Sequence, residues 1–223
     1  MSIQANYGSP SKSGPVTTLQ FLPARISMKF LRQAAQKCEG CPLFQNATQA
    51  VFGTGRLSSS IILVGEQPGH EEDLQGKPFV GPAGRVLEEA LRTAGIDRSD
   101  VYVTNVVKHF KWIHRGKRRL YEKPSPREIA ACLPWLEKEI ELVRPKVLVC
   151  LGATAAQALF RRDFKVTVEH GKVIKSALAP HALATIHPSL VLRQRTSEER
   201  DRAMSQFVSD LEVAARLLKM PLR

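Results

Sequence analysis

No stretch of this chain approaches the roughly 18 uninterrupted apolar residues that a membrane helix needs, and its start lacks the apolar core of a secretory signal. A membrane protein is not expected, and the cytoplasm is the expected compartment. Cysteine is scarce, four in 223 residues. In a reducing compartment so few thiols are read first for metal or cluster ligation rather than for disulfides, and Cys38 and Cys41 have Cys-x-x-Cys spacing. No internal repeat is present. Acids are the minority charge, 21 against 33 lysines and arginines, for a formal net charge of +12. That excess favours a polyanionic partner, nucleic acid first. A generically basic protein would carry it too, so charge alone decides nothing.

What is present fits one globular enzyme domain: hydrophobic residues make up 43% and charged residues 24%, both ordinary. Residues 1–24 are rich in Ser, Gly, Pro and Thr without periodicity and are expected to form a mobile tail, with the domain over 25–223. Apolar runs at Ser60–Glu66, Val101–Lys108, Lys146–Gly152 and Ala182–His187 predict four buried strands of a parallel sheet. Between them, Pro82–Ala94 puts Val86, Leu87, Ala90, Leu91 and Ala94 on one helical face, with Gly95 as the stop. Ser125-Pro-Arg-Glu128 combines an N-cap, a first-turn proline and a capping box. Thr196 and Glu199 repeat the box before a helix carrying Met204, Phe207, Val208, Leu211 and Ala214. No obligate interface is evident, so a monomer is expected.

Sheets of this kind bind ligands beyond the carboxyl ends of their strands, and three such ends carry chemistry. The first runs Gly65-Glu66-Gln67-Pro68-Gly69, then Gly76-Lys77-Pro78-Phe79-Val80-Gly81-Pro82-Ala83-Gly84-Arg85. Taken alone this is a phosphate cradle or merely a tight turn, and no Gly-Lys-Ser/Thr ending makes it a P-loop. The second is Thr104-Asn105-Val106-Val107-Lys108. The third is His187-Pro188-Ser189-Leu190-Val191-Leu192-Arg193.

In this order the three blocks resemble the iron–sulfur family-4 uracil-DNA glycosylases, and more closely their UdgX-type offshoot, from about Cys38 to Leu218. The resemblance implies a three-layer α/β/α fold on a four-stranded, mainly parallel sheet. It also implies excision of uracil from single- or double-stranded DNA in base excision repair. Uracil flipped from the helix is read on its Watson–Crick edge; Asn105 matches the family's reader, and Phe79 its stacking ring. Glycosidic cleavage passes through an oxocarbenium-like state. His187 matches the histidine that steadies the departing uracil anion as an oxyanion hole does. Glu66 matches the first-motif acid that would hold the attacking water, supported by Gln67. Ser189, Arg193 and the backbone at Gly65 and Gly69 would hold the base and its flanking phosphates.

Family-4 enzymes bind a 4Fe-4S cluster. Cys38, Cys41 and Cys132 match three of its cysteines; His109 stands in place of the fourth, as in the UdgX type. A Cys3His set also suits zinc. Cys150, inside Val147-Leu148-Val149-Cys150-Leu151, reads as a small core residue.

From Lys108 to Tyr121 the chain reads KHFKWIHRGKRRLY, a basic loop expected to place Lys117, Arg118 and Arg119 on phosphates and Trp112 and Tyr121 beside bases. A merely solvated loop would look the same. UdgX-type proteins carry Lys-Arg-Arg-Ile-His here, and that histidine captures the deoxyribose. Tyr121 occupies its place, so ordinary turnover is expected. The alternative is a tight or covalent uracil-DNA binder using His114 or Tyr121, and a third reading is a non-catalytic zinc-type DNA-binding module.

Overall fold

A computed structural model describes residues 17–116 and 118–220. In chain order the elements are α1 (Met28–Ala35), β1 (Ile61–Gly65), α2 (His70–Gln75), α3 (Pro82–Thr93), β2 (Val101–Asn105) and the strands β3 (Trp112–Arg115) and β4 (Arg118–Tyr121). They continue with α4 (Pro126–Val143), β5 (Val147–Leu151), α5 (Ala153–Leu159), α6 (Val166–Glu169), β6 (His181–Thr185), α7 (Ser189–Leu192) and α8 (Ser197–Leu218). The main sheet has the order β2-β1-β5-β6 and every pairing in it is parallel. The expectation of a four-stranded, mainly parallel sheet is met in full.

The alternation of strand side chains divides the core in two. Ile62, Val64, Tyr102, Leu148, Cys150, Ala182 and Ala184 face α1, α4 and α5. Ile61, Leu63, Val101, Val103, Val149 and Leu183 face α3 and α8. The result is a three-layer sandwich. Both outer edges are guarded by isolated bridges, Thr54 on β2 and Ile174 on β6, which limits edge-to-edge pairing.

Local signals act where chemistry puts them. The Ser125–Glu128 and Thr196–Glu199 capping boxes form at the starts of α4 and α8. Gly95, at φ 71°, follows α3 in the left-handed region. Two expectations are corrected. Residues 17–24 do not belong to a tail: Thr18 is fully buried and both its N–H and its hydroxyl donate to the carbonyl of Ala131. Residues 1–16 lie outside the described residues. The basic segment is no loop either, because β3 and β4 pair antiparallel with Trp112 opposite Tyr121.

Lys108, expected within that basic segment, is instead 1% exposed behind the end of β2. Its ammonium pairs with Glu139 and donates to Thr104 Oγ1 at 2.8 Å and to the Asn105 carbonyl at 2.7 Å. Glu139, fully buried on α4, also accepts from Tyr102, Thr104 and the Gly53 amide, each at 2.8 Å. Every lone pair the carboxylate spends on this network offsets its desolvation. Glu139→Ala would strand the ammonium without a counter-charge, and we expect a loss of about 3–5 kcal/mol of stability in urea denaturation.

Candidate active site at the strand ends

The carboxyl ends of β1, β2, β5 and β6 open onto one cleft of about 660 Å³. Its walls include Glu66, Gln67, Gly69, Phe79, Asn105, Tyr121, His187, Ser189 and Arg193. The residues expected from three separate motifs thus converge on a single cavity. Gly65 lies directly beneath. In the parallel register it neighbours Asn105, and a Cβ there would stand 2.3 Å from Asn105 Oδ1 and 2.8 Å from the Phe79 ring. Only glycine lets the amide and the ring meet.

Phe79 is held in an unusual backbone state, φ 56°, one of two non-glycine residues in the left-handed region among those described. That conformation costs of order 1–3 kcal/mol and persists where surrounding structure enforces it. The first turn of α3 packs closely against this residue: a Cβ on Gly84 would lie 1.8 Å from the Phe79 carbonyl oxygen, so only glycine fits there. The Phe79 ring sits 6.1 Å from the His187 ring, tilted by 32°. Asn105 is 2% exposed and its Oδ1 has no hydrogen-bond partner. A buried acceptor left open is costly, so this oxygen is an acceptor waiting for a donor.

His187 is fixed by its own turn. The Ser189 backbone N–H, which can only donate, points at Nδ1 from 3.2 Å, and the Ser189 hydroxyl lies 2.8 Å from the same nitrogen. Nδ1 therefore carries a lone pair and Nε2 carries the proton. Arg193 donates to the Ser189 hydroxyl at 3.1 Å, completing the brace. Burial, aided by the Arg193 charge, lowers the His187 pKa to about 4. The imidazole is a neutral N–H donor at physiological pH.

Glu66 accepts a hydrogen bond from the Tyr121 hydroxyl. Burial, and then this bond to a carboxylate, push the phenol above its ordinary pKa. Gln67 lines the cleft, but its side chain is spent on the hairpin. Its Nε2 donates to the Glu122 and Lys111 carbonyls at 2.9 and 3.2 Å, and its Oε1 accepts from the Lys111 amide at 2.9 Å. It clamps both ends of the β3–β4 unit and so sets where Tyr121 stands.

Several expectations change. The Gly69 amide is not open to a phosphate: it donates to one oxygen of Glu72 while the Gly81 amide donates to the other, each at 3.1 Å. Arg119, expected on DNA, donates to the fully buried Asp73 at 2.7 Å and lies 4.8 Å over the Trp112 ring. Trp112 in turn donates its indole N–H to the Asn46 carbonyl at 3.0 Å. Both are pinned rather than poised for bases. Arg118 is exposed, and Lys117 lies outside the described residues. The end of β5, Leu151-Gly152-Ala153-Thr154, also lines the cleft. It was missed, although the strand-end rule applied to the Lys146–Gly152 run points to it.

Cys38, Cys41, His109 and Cys132 are each 5% exposed or less. The three thiols are unpaired, and those of Cys38 and Cys41 bear electrostatically on Cys132. Cys38 Sγ accepts from the Trp135 indole at 3.4 Å and Cys132 Sγ from the Lys108 amide at 3.2 Å. Among the described residues no three His, Cys, Asp or Glu side chains gather tightly enough to hold one metal ion.

The brace on His187 makes a definite expectation. Long-range 1H–15N NMR should find the Nε2–H tautomer with a titration midpoint near 4. A midpoint near the reference value of about 6.5 would show that the ring is not held as described.

The family model described as the uracil DNA glycosylase superfamily matches residues 52–212. A Type-4 uracil-DNA glycosylase of Thermotoga maritima is 39% identical over 193 residues, covering 86% of this chain and 95% of its own. One from Pyrobaculum aerophilum is 35% identical over 189 residues, covering 80% and 93%. One from Archaeoglobus fulgidus is 39% identical over 170 residues, covering 73% and 82%. A chain that matches the family model over most of its length, and Type-4 enzymes at 35–39% identity, leaves one assignment: this chain belongs to the uracil-DNA glycosylase superfamily.

Proposed function

We propose that this protein excises uracil from DNA in base excision repair, hydrolysing the N-glycosidic bond and leaving an abasic site. The observation that carries the reading is the buried, partnerless Oδ1 of Asn105 in a cavity shared with Phe79 and His187. Uracil offers the matching N3–H donor, its O4 would accept from the Asn105 amide, and Phe79 offers a face for the ring. The likeness to Type-4 enzymes supports the same reading.

In the proposed reaction the bond between C1′ and N1 breaks with its electron pair leaving on uracil. The Nε2–H of His187 donates to O2, where the negative charge gathers, and its neutrality means that it stabilises charge without first losing a proton. Glu66 orients water toward C1′, takes the proton released when water adds, and favours the cationic sugar. Uracil is then protonated from solvent. Tyr121 holds Glu66 in place and Gln67 holds Tyr121, so both act as positioning residues.

Turnover is favoured over capture. A trap needs a nucleophile in the cleft, and Tyr121 is there only as a neutral donor to Glu66. His114 packs edge-on against Trp112 with ring centres 4.4 Å apart and is not among the cleft's lining residues. The nearer kinship to UdgX-type proteins rests on His109 and the Lys117-Arg118-Arg119 run. The substrate is uracil-containing DNA, single- or double-stranded, and the protein would act as a cytoplasmic monomer. The free buried thiols suit a reducing compartment. No helix among the described residues is long and apolar enough to cross a membrane.

Cys38, Cys41, Cys132 and His109 would hold a 4Fe-4S cluster. The donor set fits: the thiolates would be buried, and two of them already receive N–H···S bonds of the kind that tune such centres. Bound there, the cluster would cross-link the Cys38–Cys41 turn, the end of β2 and α4.

Asn105→Ala and His187→Ala should each lower excision from a uracil oligonucleotide about 10²–10³-fold or more, with the thermal transition little changed. Abasic product should accumulate beyond one equivalent of enzyme on the same gel. A denaturant-resistant protein–DNA band without turnover would favour capture, and equal affinity for uracil and thymine DNA without cleavage would favour a binding module. Anaerobically purified protein should be brown with broad absorption in the visible blue. A colourless protein with stoichiometric zinc would overturn the cluster.

A further inference from the structure

The catalytic cleft is poorly equipped to attract DNA. Its lining includes three carboxylates, Glu66, Glu71 and Glu72, against one permanent cation, Arg193. Arg119 on the neighbouring hairpin is neutralised by Asp73. A chain of net charge +12 with a polyanionic substrate must place its attraction elsewhere.

A second cleft of about 770 Å³ lies beside the first. Thr154 lines both. Two chain segments also contribute to both: the chain leaving Tyr121 lines the second cleft at Lys123 two residues on, and the turn after β5 lines it at Thr154. Its lining carries Lys123, Arg127 and Arg162, no acidic side chain and no aromatic ring. Lys123 and Arg127 are exposed and form no ion pair among the described residues. Arg127 stands in the first turn of the 18-residue α4, where the helix dipole disfavours a cation. Among the described residues no ion pair offsets that cost.

We propose that this second cleft is the track for the sugar–phosphate backbone of the strand flanking the flipped uracil, with Lys123 and Arg127 each meeting a phosphate. Acid-free walls suit a polyanion, and the lack of aromatic rings suits backbone rather than base contacts. The assignment rests on the uracil-DNA reading above and adds where the rest of the strand runs. It replaces the neutralised Arg119 of the hairpin with two cations that follow Tyr121 in the chain.

The test uses the full chain and a double variant, Lys123→Ala with Arg127→Ala, in two measurements. The first is binding of a uracil-free single-stranded oligonucleotide, followed by fluorescence anisotropy across a salt series. Each phosphate contact on a single strand contributes about 0.7 to the slope of log K against log salt, so losing two should lower the slope by about 1.4. The second is excision from a long uracil oligonucleotide and from a trinucleotide with central uracil. The variant should raise KM on the long substrate alone and leave kcat unchanged on both. An unchanged salt slope, or an equal rise in KM on the trinucleotide, would overturn the track while leaving excision untouched. A lowered slope in a protein that excises no uracil would leave the track standing and sink the glycosylase reading instead.

Discussion

The cleft exists because position 65 has no side chain. Parallel pairing sets Gly65 beside Asn105, and the volume a methyl group would take is filled by the Asn105 amide and the Phe79 ring. That close approach explains the cost accepted next to it. Phe79 reaches over the strand end from a left-handed backbone, and α3 packs against it so closely that position 84 has room only for glycine. The sheet, the helix and the strained residue therefore form one device whose product is a flat apolar face beside an open amide.

Charge is partitioned in a way that suits the proposed chemistry. The group meant to stabilise a departing anion, His187, is neutral, with its lone pair committed to Ser189 and its proton left on the other nitrogen. The group meant to hold water, Glu66, is restrained by a neutral phenol. The reacting centre is thus acidic and pre-organised, and the exposed Lys123 and Arg127, which form no ion pair among the described residues, lie in the adjoining cleft. A polyanion held outside and an uncharged base held inside call for this separation.

Behind Asn105, one residue joins two regions. Lys108 donates through its ammonium to the carbonyl of Asn105 and through its amide to the thiol of Cys132. The hairpin makes a parallel link on the surface, tied to Asn46 and Thr48 at one side and to Glu66 and Gln67 at the other. The proposed cluster ligands and the cleft are therefore two ends of one hydrogen-bonded framework.

Local order was legible because it depends on near neighbours. Alternating or continuous apolar runs decided the four strands, and capping boxes decided the starts of α4 and α8. The residues of the cleft were also legible, since motif blocks at strand ends must converge once the strands are parallel. What the sequence could not decide was how each polar side chain would be spent. Arg119 and Lys108 look alike in a basic run, yet one is committed to Asp73 and the other to a buried pair with Glu139, partners 46 and 31 residues away. Gln67 in a catalytic motif clamps a hairpin, and the amide of Gly69 is already satisfied by Glu72. Such pairings are set by which desolvated groups find each other when the layers close, and that is a property of the tertiary structure alone.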